Sequence, residues 1–414
     1  MAMKSGPTGL LMQVYVPTAL LSFGSGVLMP ILPLYAKEAG GSFGLAGLII
    51  SAAWIGTMLS DLPSGLLLSR FGFRRSMIYG SLLFGLATVG LGLVHATLAL
   101  IVLQLVGGVG TAFWGVSRHA FIATAVPPGT RGRAISIFGG INRLGTFTGP
   151  FVGGYVAQYF GLADAIIVAG VVALGAVIFA VFFVHDPEIA ANLKPKGHSF
   201  NLGVVREVAS HNRRDVLAAG TANVFGQMIR AGRQIAIPLY AAYAIGLDAA
   251  HVGTVVSVSA LVDVSLFIPA GYVMDRFGRK AAAVPSFTIL ALGMALVPFT
   301  HSYLQLLADG LILGFGNGLG AGTMMTLGAD LAPPHLTGEF IGFWRLIGDS
   351  GRAASPLIVG AVADAAGIVF TSGAIAGLGV VAALMLALFV RETRWSAEAR
   401  PVTTPLTLKP PGEP

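Results

Sequence analysis

Twelve long apolar stretches follow one another along the chain, near residues 11–36, 43–69, 76–95, 98–124, 133–159, 163–185, 215–243, 251–274, 281–299, 303–329, 338–366 and 370–390. A membrane-spanning helix needs about 20 consecutive apolar residues, so each stretch suffices for one span and together they consume most of the 414 residues. Charged residues are 10% of the chain, against roughly 25% in soluble domains, too few to cover a water-soluble body. The expectation is an all-α membrane protein with no separate catalytic domain. No metal-ligand cluster, phosphate-cradling loop or nucleophile constellation stands out, so neither enzyme activity nor a cofactor is expected. Cysteine is absent, which excludes disulfides and thiolate chemistry.

The formal charge of +7 would suit a nucleic-acid partner only if it were clustered on one soluble surface. Of the 25 basic residues, 18 fall in the terminal segments or in alternate loops, six fall inside spans, and Lys37 alone falls in the opposite loops. This is the positive-inside pattern. It predicts a multi-pass protein of the cell (inner) membrane with both termini cytoplasmic, surrounded by lipid, with no nucleic acid bound.

A constant offset of 206 residues superimposes one half of the sequence on the other from the second span to the eleventh. It pairs Gly65 with Gly271, Arg70 with Arg276, Gly72 with Gly278, Pro127-Pro128 with Pro333-Pro334, Gly145 with Gly351 and Pro150 with Pro356. Two parallel six-helix halves around a central site is a transporter design, since rocking one against the other exposes the site to each side in turn. The expected division is an N-terminal six-helix bundle at 1–185, a cytoplasmic linker at 186–214 with a short interfacial helix around Phe200, a C-terminal bundle at 215–390, and a disordered Pro-rich tail at 391–414.

GLLLSRFGFRR (Gly65 to Arg75) follows the second span and GYVMDRFGRK (Gly271 to Lys280) follows the eighth. Both resemble the cytoplasmic signature loop of the major facilitator superfamily, Gly-x-x-x-Asp-Arg-x-Gly-Arg-Arg/Lys. The resemblance implies two pseudo-symmetric bundles of six helices, with a gating loop built from Gly65, Arg70 and Gly72 in one half and Asp275, Arg276, Gly278 and Arg279 in the other. An Asp in this loop can satisfy the positive end of a facing helix. The first half departs from the pattern: Ser69 replaces the Asp, Phe73 replaces the Arg, and Thr124 stands where the second half has Asp330. A charged latch is therefore expected under the second half alone.

In the fifth span, GTFTGPFVGG (Gly145, Gly149, Pro150, Gly153 and Gly154) is similar to the Gly-x-x-x-Gly-Pro-x-x-Gly-Gly motif of the superfamily's drug:proton antiporter, or exporter, branch. Its glycines allow close helix contact and its proline permits a bend. The resemblance implies export. Gln104 stands where the family carries an Arg associated with proton coupling, which leaves protons as a candidate coupling ion only.

Ionisable residues inside spans are costly and are read as functional until paired. The superfamily arrangement implies that helices 1, 4, 7 and 10 line the cavity and helices 2, 5, 8 and 11 form the seams. At 1.5 Å rise per residue, Arg143 and Asp263 reach similar depth on one seam, and Asp61 and Arg345 on the other, with Asp349 and Arg352 continuing the same face of helix 11. Arg230 and Arg233 on helix 7 share one evident acidic neighbour, Asp309 on helix 10, so one arginine is expected to pair and the other to meet a substrate anion. Gln104 and Trp114 on helix 4 and Asn317 on helix 10 complete the candidate substrate site. The leading expectation is a monomeric secondary active exporter of an anionic or amphiphilic organic molecule by alternating access. The alternatives are an importer or uniporter of a metabolite anion, and a transport-inactive sensor or assembly partner with the same fold.

Overall fold

The computed structural model describes residues 7–126, 128–185, 213–333 and 336–393. The expected linker, its interfacial helix around Phe200 and the Pro-rich tail lie outside the described residues, apart from 213–214 and 391–393.

Twelve spans can be traced among the described residues. The first, α1 (Val16–Gly40), is entered through a wider π-helical turn at Leu11–Tyr15. Phe43–Leu93 is helical on both sides of a single break at Gly72, whose φ of 77° a side chain would resist, giving α2 (43–71) and α3 (73–93). There follow α4 (Thr97–Ala125), α5 (Pro128–Phe160), α6 (Leu162–Phe183) and α7 (Arg213–Tyr240). The eighth span, α8, has two segments, Ala249–Ser265 and Phe267–Phe277, bent by 43°. Pro269 accounts for the bend, because it cannot donate to the carbonyl of Ser265 one turn earlier. Then come α9 (Arg279–Leu296), α10 in two segments (Tyr303–Leu319 and Thr323–Leu331), α11 (Thr337–Ala366) and α12 (Ile368–Leu388).

Seven of these helices are long and apolar enough to cross a membrane by length and composition, and the bent α8 makes an eighth. The four that miss are α5, α7, α10 and α11. Three carry arginines within the span and α10 is broken at Gly320–Gly322. All four line the cavities described below, so the arginines of three and the break in the fourth mark helices facing polar space.

Between the halves, α5 packs on α8 and α2 on α11, as the repeat and the family resemblance imply. The contacts are closest at the face opposite the two signature loops, the outer face. There the carbonyl of Pro356 fills the space a Cβ on Gly47 would need, and that of Pro150 does the same at Gly253. Ser51 Oγ donates to the Ala353 carbonyl at 2.7 Å and Ser257 Oγ to the Phe147 carbonyl at 2.8 Å. Toward the signature-loop, or inner, face the same helices stand apart. Gly65 and Gly139 in the first half, and Gly271 and Gly342 in the second, have no atom within 4 Å of where a Cβ would stand. This is a conformation closed at the outer face and open at the inner one.

Candidate functional site

Three recesses of about 190, 380 and 260 Å³ share lining residues and run from the outer half of the molecule toward the inner face. Asp263, Asn317, Thr146 and Gln234 line both the first and the second, while Gln227, Arg230, Gly322 and Arg352 line both the second and the third. The floor of this continuous cavity is one face of α7. Asn223, Gln227, Arg230 and Gln234 recur there at helical spacing. Trp54 of α2 and Asn142, Arg143 and Thr146 of α5 close it from the first half.

The seam charges meet as depth counting implies. Arg143 Nη1 lies 3.9 Å from Asp263 Oδ1, its guanidinium stacks 4.0 Å from the Phe267 ring, and Asn317 Nδ2 donates to Asp263 Oδ2 at 2.8 Å. On the other seam Arg345 Nη2 donates to Asp61 Oδ2 at 3.3 Å. Within α11, Arg352 Nη1 donates to Asp349 Oδ1 at 3.3 Å while its Nε donates to Gln227 Oε1 at 2.9 Å, and the same group lies over the Trp54 ring at 5.3 Å. These three carboxylates thus each hold an arginine.

Helix 7 departs from expectation, since neither Arg230 nor Arg233 pairs with Asp309. Arg233 is buried and satisfied by neutral oxygens, Ser259 Oγ at 3.1 Å and the Leu313 carbonyl at 3.3 Å. Arg230 Nη2 donates to the Gly320 carbonyl at 2.8 Å, exposed by the break in α10, and its guanidinium stands over Phe287 at 5.1 Å. Its Nε is buried without a partner. Asp309 is 4% exposed and turned toward Gly293 of α9, with neither oxygen hydrogen-bonded. The reason is geometric: Asp309 lies on the α9 side of α10, whereas both arginines face α8 and the break.

Two other candidates do not reach the cavity. Close backbone packing draws α4 onto α2: Thr57 Oγ1 donates to the Gly108 carbonyl, and the carbonyl of Leu105 abuts Gly56. Gln104 is consequently buried within the first half, and Trp114 sits in an apolar cluster with Met77, Phe121 and Phe138. Neither lines the three recesses. Sequence reading passed over Asn223, Gln227, Gln234 and Trp54, although the i, i+4, i+7, i+11 spacing of polar residues on α7 was a readable signal.

The signature loops differ as their residues dictate. In the second half Arg279 Nε donates to Asp330 Oδ2 at 2.7 Å, Arg279 Nη1 lies 3.8 Å from Asp275, and Glu392 accepts from the backbone N–H groups of Arg279 and Lys280 at 2.9 and 3.0 Å. Gly278, with φ at 106°, makes room for that carboxylate. In the first half Phe73 is buried edge-on against Phe121. Part of the symmetry is kept: Arg74 donates to the Val181 carbonyl as Lys280 does to that of Ala387. In the helix-5 motif, Gly145, Gly149 and Gly153 receive α1 at Ser22–Val27, while Gly154 receives α8 at Ala249–Gly253. The motif therefore makes close contacts on both sides of the seam.

The family description Major Facilitator Superfamily matches twice, over residues 15–229 and 219–410. The chain belongs to the Major Facilitator Superfamily. It is a multi-pass membrane transporter acting on small molecules, not an enzyme. It is 23% identical to an uncharacterized MFS-type transporter of Methanocaldococcus jannaschii over 86% of this chain and 91% of that one. It is 24% identical to a multi-drug resistance efflux pump PmrA homolog of Lactococcus lactis, covering 81% and 84% of the two chains. The solved nucleoside transporter NupG shares the fold at a TM-score of 0.77 and 14% identity, over 92% of this chain and all of that one.

Proposed function

We propose that this transporter exports organic anions or anionic amphiphiles across the cell membrane by alternating access, as a monomer with both termini cytoplasmic. Arg230 carries the reading. It faces the cavity, and among the described residues no carboxylate stands within ion-pair distance of it, whereas Asp263, Asp61 and Asp349 are each engaged by another arginine. A guanidinium with spare donors in a partly dry site favours a partner that brings negative charge and accepts a forked pair of hydrogen bonds. The positive-inside distribution supports a cytoplasmic open face, the side from which an exporter loads. The helix-5 motif and the multi-drug efflux pump relative support export over import.

Asp309 is proposed as the proton-coupling group. Burial of an unpaired carboxylate is strongly unfavourable, and Asp263 and Asp349 are already compensated. Binding and release of a proton by Asp309 would tie transport to a gradient without disturbing the seam pairs. The test is uptake and efflux in vesicles with imposed pH gradients, across labelled anions, cations and neutral amphiphiles. Preferential outward movement of anions on acidification of the outside is the expected result. Selective transport of cations, or inward accumulation under the same gradient, overturns it and leaves import of a metabolite as the alternative.

A further inference from the structure

We infer that Asp364 is an outer-face latch which holds the two halves together on the α2–α11 seam alone, so that the two seams open unequally. Asp364 lies near the end of α11, in the second half. Its Oδ1 accepts from the backbone N–H of Phe43 at 2.9 Å and its Oδ2 from that of Gly44 at 2.8 Å, the first two residues of α2 in the other half. The first N–H groups of a helix have no partner inside the helix and carry partial positive charge. Here both oxygens of a carboxylate from the opposite bundle take them, a two-point contact that must break before α2 and α11 can part at the outer face. Ser42, the N-cap of α2, accepts from Leu45 further along and leaves those two donors to Asp364.

The other seam lacks this device. The repeat maps Asp364 onto Gln158 and the start of α2 onto the start of α8. At that position Asp248 stands in place of Ser42 and caps α8 from within its own half, accepting from the backbone N–H of His251 at 2.9 Å. Its carboxylate also engages the His251 ring at 2.8 Å, and Gln158 carries no charge to compete. Both outer helix starts thus have an internal cap, at Ser42 and Asp248, and the start of α2 has in addition a cap from the opposite half. Lys37 reinforces the latched side. It donates to the Gly41 carbonyl and lies over the rings of Phe43 and Tyr243, which meet edge-on across the halves at 5.6 Å. The latch depends neither on the substrate nor on the direction of transport.

The absence of cysteine allows a direct test by paired spin labels at Ala96→Cys and His301→Cys, exposed outer-loop positions in the two halves. Distances are read by pulsed dipolar spectroscopy on the full chain in lipid nanodiscs. Asp364→Ala should raise the ratio of the longer outer-face distance to the shorter by about fivefold, the scale of an ordinary helix cap. Asp364→Asn, which keeps the shape and one acceptor, should give a smaller rise and guards against a poorly folded alanine variant. Asp248→Ala should leave the distribution as in the parent. Unchanged distances in both Asp364 variants overturn the latch. A shift in Asp248→Ala equal to that in Asp364→Ala overturns its confinement to one seam. A fall in melting temperature without a change in distances assigns Asp364 a merely structural role and also overturns the proposal.

Discussion

Replacing Arg230 separates an anion site from a structural charge. The guanidinium now makes one hydrogen bond, 2.8 Å to the Gly320 carbonyl, and stands 5.1 Å from the Phe287 ring, so its intramolecular ties are few. Losing them should cost about 1–2 kcal/mol and move the melting temperature by no more than a few degrees. A hydrogen bond to a charged partner contributes roughly 1.5–3 kcal/mol, which is about a 10- to 150-fold change in affinity. Arg230→Lys keeps the charge and loses the fork, so KM for an anionic substrate should rise about tenfold. Arg230→Ala removes both, and the rise should reach about a hundredfold. The assay is counterflow in proteoliposomes, which needs no driving gradient, with an anionic amphiphile and a neutral analogue of similar size measured side by side. The neutral compound should show the same KM in all three proteins. Parent KM for the anion in both variants, or equal loss for the two compounds, would refute the assignment.

Asp309→Asn should abolish accumulation driven by a pH gradient while sparing counterflow, and gradient-driven transport at the parent rate would exclude Asp309 as the coupling group. Gly47→Leu places a side chain where the Pro356 carbonyl already stands, so it should disfavour the outer-closed state by about 1–3 kcal/mol. Spin-label distances across the outer face should lengthen, and unchanged distances would show that the seam can yield there. Asp275→Ala, which removes a carboxylate 3.8 Å from Arg279, should alter inner-face accessibility more than Ser69→Ala, whose hydroxyl bonds only within its own helix turn. Equal labelling rates in the two would argue against a latch confined to the second half.

Much of the architecture was readable because its causes are local or repeated. Apolar runs set the spans, and the offset of 206 residues carried each feature of one half onto the other. The seam pairs Arg143–Asp263 and Asp61–Arg345 followed from counting rise per residue along helices whose neighbours were already implied. What could not be read was rotation. Asp309 and Arg233 are close in depth, yet Asp309 turns to Gly293 on α9 while Arg233 turns to Ser259 on α8, and no periodicity in an almost wholly apolar helix distinguishes those faces. Trp114 was misplaced for the same reason, because small residues on α4 bring the helix so close to α2 that its large side chains point into the first-half core. The break in α10 was hidden as well, since Gly320 and Gly322 sit inside an apolar run rich in glycine. Asp364 was legible only by asking where the repeat fails, at its neutral counterpart Gln158.

The disposition of charge along each seam also indicates which ion pairs move. The outer ends of both seams are joined backbone to backbone at Gly47 and Gly253, and the inner ends stand open at Gly65 and Gly271. Arg143–Asp263 lies between them beside the central cavity, whereas Asp61–Arg345 bridges its seam one helical turn from Gly65. A central pair such as Arg143–Asp263 can persist through the cycle, which avoids leaving uncompensated charges in a low-dielectric site at every turnover. Its role is then to hold the halves in register. The groups proposed to change partners are others: Arg230 facing the cavity, Asp309 behind it, and Asp364 at the outer end. On the proposals made above, a transport cycle has a substrate engage the first, a proton reach the second, and the third release α2.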